Sequence, residues 1–225
     1  MALLLSIETS THSFSCALHD EGKLVVEEKS VADQTTASML AVMIKKLFSK
    51  SQLKKNKLSA VVIAAGPGSY TGLRIGVATG KGICYALEIP LISVDTLKLM
   101  AFQASALIRD GLLCPMLDAR RMEVYCALFD QDLKVIQNTQ AKIIDANSFS
   151  DQLHRPIYFF GEGADKCRDT LVHSNAKFMS GIKPSANALG ELGYAKFQKS
   201  EFEGLEHFEP FYLKDFVVKK PKSVS

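Results

Sequence analysis

Hydrophobic positions along the chain fall into three patterns. Continuous apolar runs, Leu3-Leu4-Leu5-Ser6-Ile7, Ala60-Val61-Val62-Ile63-Ala64-Ala65, Pro90-Leu91-Ile92-Ser93-Val94 and Leu112-Leu113-Cys114-Pro115-Met116-Leu117, predict strands buried on both faces. Alternation over Ser13–His19, a turn at Asp20-Glu21-Gly22 and a return over Lys23–Glu28 predict a hairpin. The first three strands follow each other too closely for parallel crossovers, so they form an antiparallel meander. Longer stretches free of proline, Thr35–Ser49, Thr71–Leu87 and Asp95 to about Ile108, predict helices.

Asp110-Gly111 marks a seam. Beyond it the pattern predicts further strands at Glu123–Phe129, Lys134–Gln137 and Ile157–Phe160. It also predicts a short helix at Ala146–Leu153, another running from the Gly161-Glu162-Gly163 turn to about His173, and a last helix at Ser185–Phe197. The first half reads β-β-β-α-β-α-β-α and the second repeats it in shortened form. This is an α/β chain of two lobes, 1–109 and 110–225, each a mixed sheet flanked by helices. The topology is that of ribonuclease H-like and actin-like (ASKHA) lobes. Three aromatics in Glu209-Pro210-Phe211-Tyr212-Leu213-Lys214-Asp215-Phe216 predict a tail docked on a lobe, ahead of a basic end at Lys219, Lys220 and Lys222.

Two helices carry unusual faces. On Thr35–Ser49, Ala37, Leu40, Ile44 and Leu47 form one apolar stripe, and Met39, Val42, Met43 and Phe48 form a second. Burial against two neighbours and docking of a partner helix both account for the second stripe. On Thr71–Leu87, Gly72, Gly76 and Gly80 recur every four residues. Each interior glycine costs about 1 kcal/mol relative to alanine, so the stripe implies close approach of another backbone. The turn before it, Gly66-Pro67-Gly68-Ser69-Tyr70-Thr71-Gly72, follows a strand and opens a helix. It reads either as an anion cradle or as a plain tight turn.

Composition narrows the class. The 225 residues are 47% hydrophobic and 23% charged with net charge +3, as in ordinary globular proteins, and too weakly basic to imply nucleic acid alone. Lys45, Lys46, Lys50, Lys54, Lys55 and Lys57 cluster at the end of the first helix, either as a solvated face or as a weak RNA-facing patch. The five cysteines are widely spaced without C-x-x-C, which implies reduced thiols and a cytoplasmic setting. No apolar run reaches the roughly 20 residues of a membrane helix.

Catalytic signatures are missing. A Walker loop needs Gly-x-x-x-x-Gly-Lys-Ser/Thr, and Leu73 stands where the lysine belongs. Nucleotide-binding actin-like proteins use glycine-bearing acidic hairpins. Here the corresponding stretches, Glu8-Thr9-Ser10-Thr11-His12-Ser13 and Asp118-Ala119-Arg120-Arg121, contain none. Gly161-Glu162-Gly163 reads as a remnant of an adenosine turn or as a simple strand-to-helix turn. The five histidines never fall at helical metal-ligand spacing, and G-x-S-x-G is absent. A small actin-like ATPase or kinase, or a metallopeptidase-like enzyme, is the competing class.

Read together, Ile7-Glu8-Thr9-Ser10, the block from Gly66 to Gly76, Lys81-Gly82, Ser93-Val94-Asp95-Thr96-Leu97, Asp118–Tyr125 and Pro210-Phe211-Tyr212-Leu213-Lys214 closely resemble the TsaB (YeaZ) family. That family comprises bacterial subunits for making threonylcarbamoyladenosine in tRNA. The resemblance implies a two-lobed actin-like fold with no catalytic residues, no metal and no cofactor of its own, nucleotide being held, if anywhere, at a junction with partners. It implies association with the catalytic TsaD subunit and the ATP-hydrolysing TsaE, a homodimer in their absence, and contact with tRNA through the complex. It places the interface on the first two helices, at Met39, Leu40, Met43, Gly72, Leu73, Gly76, Val77 and Gly80. Glu8, Gly66, Gly68, Ser69, Thr71, Arg74, Asp118 and Arg120 are expected to form the family motif and a vestigial anion turn. Three departures stand out: Glu8 where relatives carry aspartate, Gln34-Thr35-Thr36-Ala37-Ser38 where they carry a histidine-serine pair, and Lys214 for arginine. TsaD itself holds metal with histidines on the helix matching Asp95–Ile108, where this chain has none.

Overall fold

In the computed structural model, which describes residues 2–31 and 36–213, the two lobes are built on two five-stranded mixed sheets. The first has the order β3-β2-β1-β4-β5, from β1 (Leu3–Glu8), β2 (Ser13–Asp20), β3 (Lys23–Val31), β4 (Leu58–Gly66) and β5 (Leu91–Asp95). β1 pairs antiparallel with β2 and parallel with β4, and β4 runs parallel to β5. The meander and the buried runs are therefore as the pattern predicts. The second sheet repeats that topology as β8-β7-β6-β9-β10, from β6 (Leu112–Asp118), β7 (Glu123–Phe129), β8 (Val135–Ile143), β9 (Ile157–Phe160) and β10 (Ala176–Met179). β10 was not predicted: it is four residues long and lacks clean alternation, yet it is the counterpart of β5.

Each face of the first sheet carries two helices. α1 (Thr36–Ser51) and α2 (Tyr70–Leu87) cover the side chains of Leu3, Leu5, Ile7, Val61 and Ile63. α3 (Thr96–Ser105), capped by Asp95 through the Lys98 N–H at 2.7 Å, covers the other face with α5 (Ala186–Gln198). The helix boundaries move by a residue or two from the predicted Thr35–Ser49, Thr71–Leu87 and Ser185–Phe197. α3 stops three residues short of the predicted Ile108.

Two predicted helices of the second half are largely turns. The stretch 146–154 has no helix, because Phe149 adopts φ +67 and breaks the turn while its ring packs 5.2 Å from Phe159. The second reduces to the single turn α4 (Glu162–Asp165).

The seam at 110 separates the sheets, but the C-terminal segment crosses back. α5 packs on the first sheet: a Cβ at Gly193 would lie 2.5 Å from Val62, and one at Gly190 would overlap the His19 ring. His19 is fully buried; its Nε2 lies 3.0 Å from the Asn187 carbonyl and its Nδ1 3.3 Å from the Ser6 hydroxyl. Burial lowers its pKa, so the ring is neutral, donating to Asn187 and accepting from Ser6. The N-terminal lobe therefore includes residues 186–213 as well as the segment before the seam. The chain then runs along β5, where the Glu203 N–H donates to the Leu91 carbonyl at 2.9 Å, and crosses α2, where the Lys81 ammonium holds the Glu206 and Phe208 carbonyls at 3.2 Å. This shields an otherwise open sheet edge. The predicted docking of the tail is seen up to Leu213; Lys214, Asp215, Phe216 and the basic end lie outside the described residues.

Candidate interaction faces and the interlobe hairpins

The glycine turn is held against the first hairpin. Gly66 has φ +108 and precedes a cis peptide to Pro67, and a side chain there would meet the Phe211 carbonyl at 2.7 Å. The Ser69 N–H donates to the Ser10 carbonyl at 2.6 Å, and the Ser69 hydroxyl caps α2 by accepting from the Gly72 N–H at 3.2 Å. Two donors that would face an anion are thus consumed within the chain. Thr71 and Arg74 point outward, the latter with its guanidinium 5.4 Å from the Tyr70 ring centre.

The glycine stripe faces inward. A Cβ at Gly72 would overlap the Thr9 carbonyl oxygen, one at Gly76 the Thr9 hydroxyl, and one at Gly80 would lie 2.9 Å from Ile63. The inferred close approach is real, but it is to the chain itself: Gly72 meets the backbone and Gly76 the side chain of Thr9 in the β1–β2 hairpin, and Gly80 meets side chains of β4 and β5. Leu40, Met43, Leu73 and Val77 are likewise buried in the first core, and Met39 is half-buried against it. This corrects the interface residues read from the sequence: seven of the eight point into the lobe, because the sheet beneath uses Leu40, Met43, Ile44, Leu47 and Phe48 of α1 and the small face of α2.

The outward faces carry a different set. On α2 they are Thr71, Arg74, Ala78, Gly82, Tyr85 and Ala86, and on α1 Ala41, Val42, Lys45 and Lys46. Tyr85 is 81% exposed, Val42 46%, and among the described residues no neighbouring element comes within 4 Å of a Cβ built on Gly82. The sequence held a signal for this, since Ala78, Gly82, Tyr85 and Ala86 share one helical face. The lysine cluster stays in solvent, with Lys50 paired to Glu28 at 2.5 Å.

The two interlobe hairpins are closed by the chain's own groups. Glu8 at the end of β1 is fully buried, and its Oε1 accepts both the Ser10 N–H at 2.7 Å and the Ser10 hydroxyl. Among the described residues its Oε2 has no hydrogen-bond partner. Burial pushes the carboxyl up to about 7, against the Ser10 hydrogen bonds and with a push from Glu162. In the second lobe the Lys166 ammonium sits on Asp118 Oδ1 and the Glu123 carbonyl. Partial burial raises Asp118, but the Lys166 and Arg120 N–H bonds and the nearby charge outweigh it and hold it below the usual carboxylate range. Lys166 was not singled out from sequence: it reaches Asp118 across 48 positions, with no local signal. At both hairpins the carboxylate is thus engaged by the chain's own groups, Glu8 by Ser10 and Asp118 by Lys166.

A cleft of about 590 Å³ opens at the ends of β4 and β5, between Asp95, Lys98, Lys196 and Lys199 of the first lobe and Asp132 of the second. Lys196 is committed to the Ser93 carbonyl at 2.8 Å. Among the described residues no group of three His, Cys, Asp or Glu could hold a metal ion, and all five cysteines are free. No described helix is long and apolar enough to cross a membrane.

Two mixed five-stranded sheets of the same topology, flanked by helices, define a protein of the actin-like class. The activator of 2-hydroxyisocaproyl-CoA dehydratase from Clostridium difficile shares the fold, with TM-score 0.51, 10% identity and 89% of this chain and 96% of that one covered. A family model described as TsaD, tRNA N6-adenosine threonylcarbamoyltransferase, matches residues 30–223. The tRNA threonylcarbamoyladenosine biosynthesis protein TsaB of Bacillus subtilis is 30% identical over 174 residues, 76% of this chain and 72% of that protein. The Escherichia coli TsaB is 27% identical over 96% of each. YeaZ from Pseudomonas aeruginosa superposes with TM-score 0.79 and 22% identity, covering 95% of this chain and all of that one. The chain belongs to the TsaB (YeaZ) family, whose members serve tRNA threonylcarbamoyladenosine biosynthesis.

Proposed function

We propose that the chain is a non-catalytic subunit of the threonylcarbamoyl-transfer machinery, working in the cytoplasm and presenting the outer faces of α1 and α2 to a TsaD-type catalytic partner. The observation that carries this is the open glycine at 82 beside the exposed Tyr85, flanked by Ala78 and Ala86, on the outward face of α2. An interior glycine with nothing near it costs about 1 kcal/mol relative to alanine, a cost that close approach of a partner helix offsets. An aromatic anchor beside a small-residue groove is the composition of an interface centre. Because the family model that matches is that of the transferase itself, the partner shares this fold, and its corresponding helices can pack on these in a bundle. A TsaE-type ATPase completes the assembly, and a second copy of this chain occupies the same face when the partner is lacking.

The closed hairpins support the non-catalytic part of the reading. Lys166 pairs with Asp118, and Ser10 engages Glu8, so both hairpin carboxylates already have partners within the chain. Any nucleotide the assembly needs is then held by its partners or at a junction with them. Reconstitution of threonylcarbamoyl transfer to tRNA tests this: the chain alone is expected to be inactive and to stimulate a TsaD-type protein severalfold. Transfer by the chain alone would overturn the reading.

A further inference from the structure

The helices α1 and α2 carry charge of one sign only. They are 16 and 18 residues long and contain no Asp or Glu, although the chain's overall share, 24 acidic residues in 225, would place about four there. Their cations are Lys45, Lys46, Lys50, Arg74 and Lys81. Two are used inside the chain: Lys50 pairs with Glu28, and Lys81 holds the Glu206 and Phe208 carbonyls. Lys45, Lys46 and Arg74 are exposed, and among the described residues no carboxylate pairs with them. Arg74 meets only the Tyr70 ring face, at 5.4 Å.

These three cations lie on the outward face. Lys45 and Lys46 stand one turn beyond Ala41 and Val42 on α1, and Arg74 stands one turn before Ala78 in the row that leads to Gly82. Helix dipoles do not account for them. The dipole favours cations in the last turn, whereas Lys45 and Lys46 precede it and Arg74 lies near the positive end of α2. Of the carboxylates bordering the face, Glu28 is already paired, Glu88 lies beyond the last turn of α2, and Glu206 sits on the tail beside His207. A two-fold pair of this chain through the face brings the patch onto itself. Each cation then meets a cation or an uncharged group, and no carboxylate of either helix.

We propose that Lys45, Lys46 and Arg74 select the occupant of this face: they draw a partner helix face bearing carboxylates and oppose a second copy of this chain. This rests on the reading that the face binds a TsaD-type partner, and it adds the charge which that partner presents. Contact through Tyr85 and Gly82 is open to both occupants, and charge separates them. Salt therefore acts in opposite directions, weakening the heterodimer and strengthening the self-pair.

Sedimentation velocity measures both affinities at about 0.1 M and about 1 M sodium chloride, between which the Debye length falls from about 10 Å to about 3 Å. The heterodimer weakens about tenfold over this range, as loss of three rim pairs predicts, while the self-pair tightens. The variant K45E/K46E/R74E, changed only at exposed positions, keeps the parent's urea midpoint and binds the TsaD-type protein about tenfold more weakly at low salt. Mixed with labelled parent chain, it forms a dimer tighter than either self-pair. The variant K45Q/K46Q/R74Q carries the same test without reversed charge: its self-pair is tighter than the parent's at low salt, and its heterodimer is indifferent to salt. A parent heterodimer indifferent to salt, a parent self-pair as tight at low salt as at high, no preference for the mixed dimer, or a K45Q/K46Q/R74Q chain that stays monomeric overturns the proposal. Gly82→Phe is run alongside. If it abolishes association while salt and the charge variants have no effect, only this inference falls; if it leaves association intact, the partner reading falls.

Discussion

Alanine placed at Gly72 and at Gly82 should move stability in opposite directions. The two glycines lie on one helix, ten positions apart, so propensity favours alanine at both by about 1 kcal/mol. At Gly82 no neighbouring element among the described residues stands within 4 Å of the new methyl, so the full gain is expected in the isolated chain. For a chain of this size a gain of about 1 kcal/mol raises the melting temperature by about 2–4 °C. At Gly72 the methyl overlaps the Thr9 carbonyl, a backbone atom that no rotamer change can move away. Overpacking of that kind costs about 1–3 kcal/mol or more, which cancels the propensity gain and leaves a net loss. Urea unfolding of the three proteins measures this as midpoints at constant slope. A midpoint for Gly82→Ala at or below the parent would refute the reasoning, because position 82 would then already be packed within the chain. A Gly72→Ala midpoint above the parent would refute the assignment of Gly72 to the β1–β2 hairpin.

Other outcomes follow from single groups. Glu8 carries a folded pKa raised to about 7 against 4.5 when unfolded, so the folded form keeps its proton where the unfolded chain has lost it. Its contribution is undiminished below pH 4.5 and is lost as pH rises from there to 7, a difference on the order of 3 kcal/mol. Glu8→Gln should therefore flatten the fall in stability between pH 5 and pH 8, and an unchanged profile would place the carboxylate elsewhere. Tyr85→Ala should leave the urea midpoint of the isolated chain within about 0.5 kcal/mol of the parent, as for other exposed positions. The same change should weaken partner association by about 2 kcal/mol in titration calorimetry, as loss of an interface anchor does. Equal affinity of Tyr85→Ala and parent would remove Tyr85 from the interface.

Most of the fold is legible in the sequence because its strands are long apolar runs and its helices are bounded by glycine, proline and capping residues. Ser69, Asp95 and Ser185 cap the three helices from positions the sequence makes plain. The misses have local physical causes. Phe149 looks helical by composition, but its backbone is set by packing on Phe159, a contact the sequence does not display. β10 is too short to show a period. The return of α5 to the first sheet depends on Gly190 and Gly193 fitting His19 and Val62, residues more than 120 positions away. Close approach at Gly72, Gly76 and Gly80 was legible, but its object was not. A glycine stripe reports close approach, and whether it is to the chain itself or to another molecule is settled only in three dimensions. The outward face at Gly82 and Tyr85 could have been found by asking which glycine remained after the inner stripe was assigned.

The central claim, that the outer faces of α1 and α2 bind a TsaD-type partner, is tested most directly by mass in solution. Parent and Gly82→Phe chains are each mixed with the TsaD-type protein. The parent should run as a heterodimer, and Gly82→Phe, whose ring projects into open space and spares the lobe, should fold normally yet leave both proteins at their separate masses. A heterodimer formed equally by folded Gly82→Phe would contradict the claim.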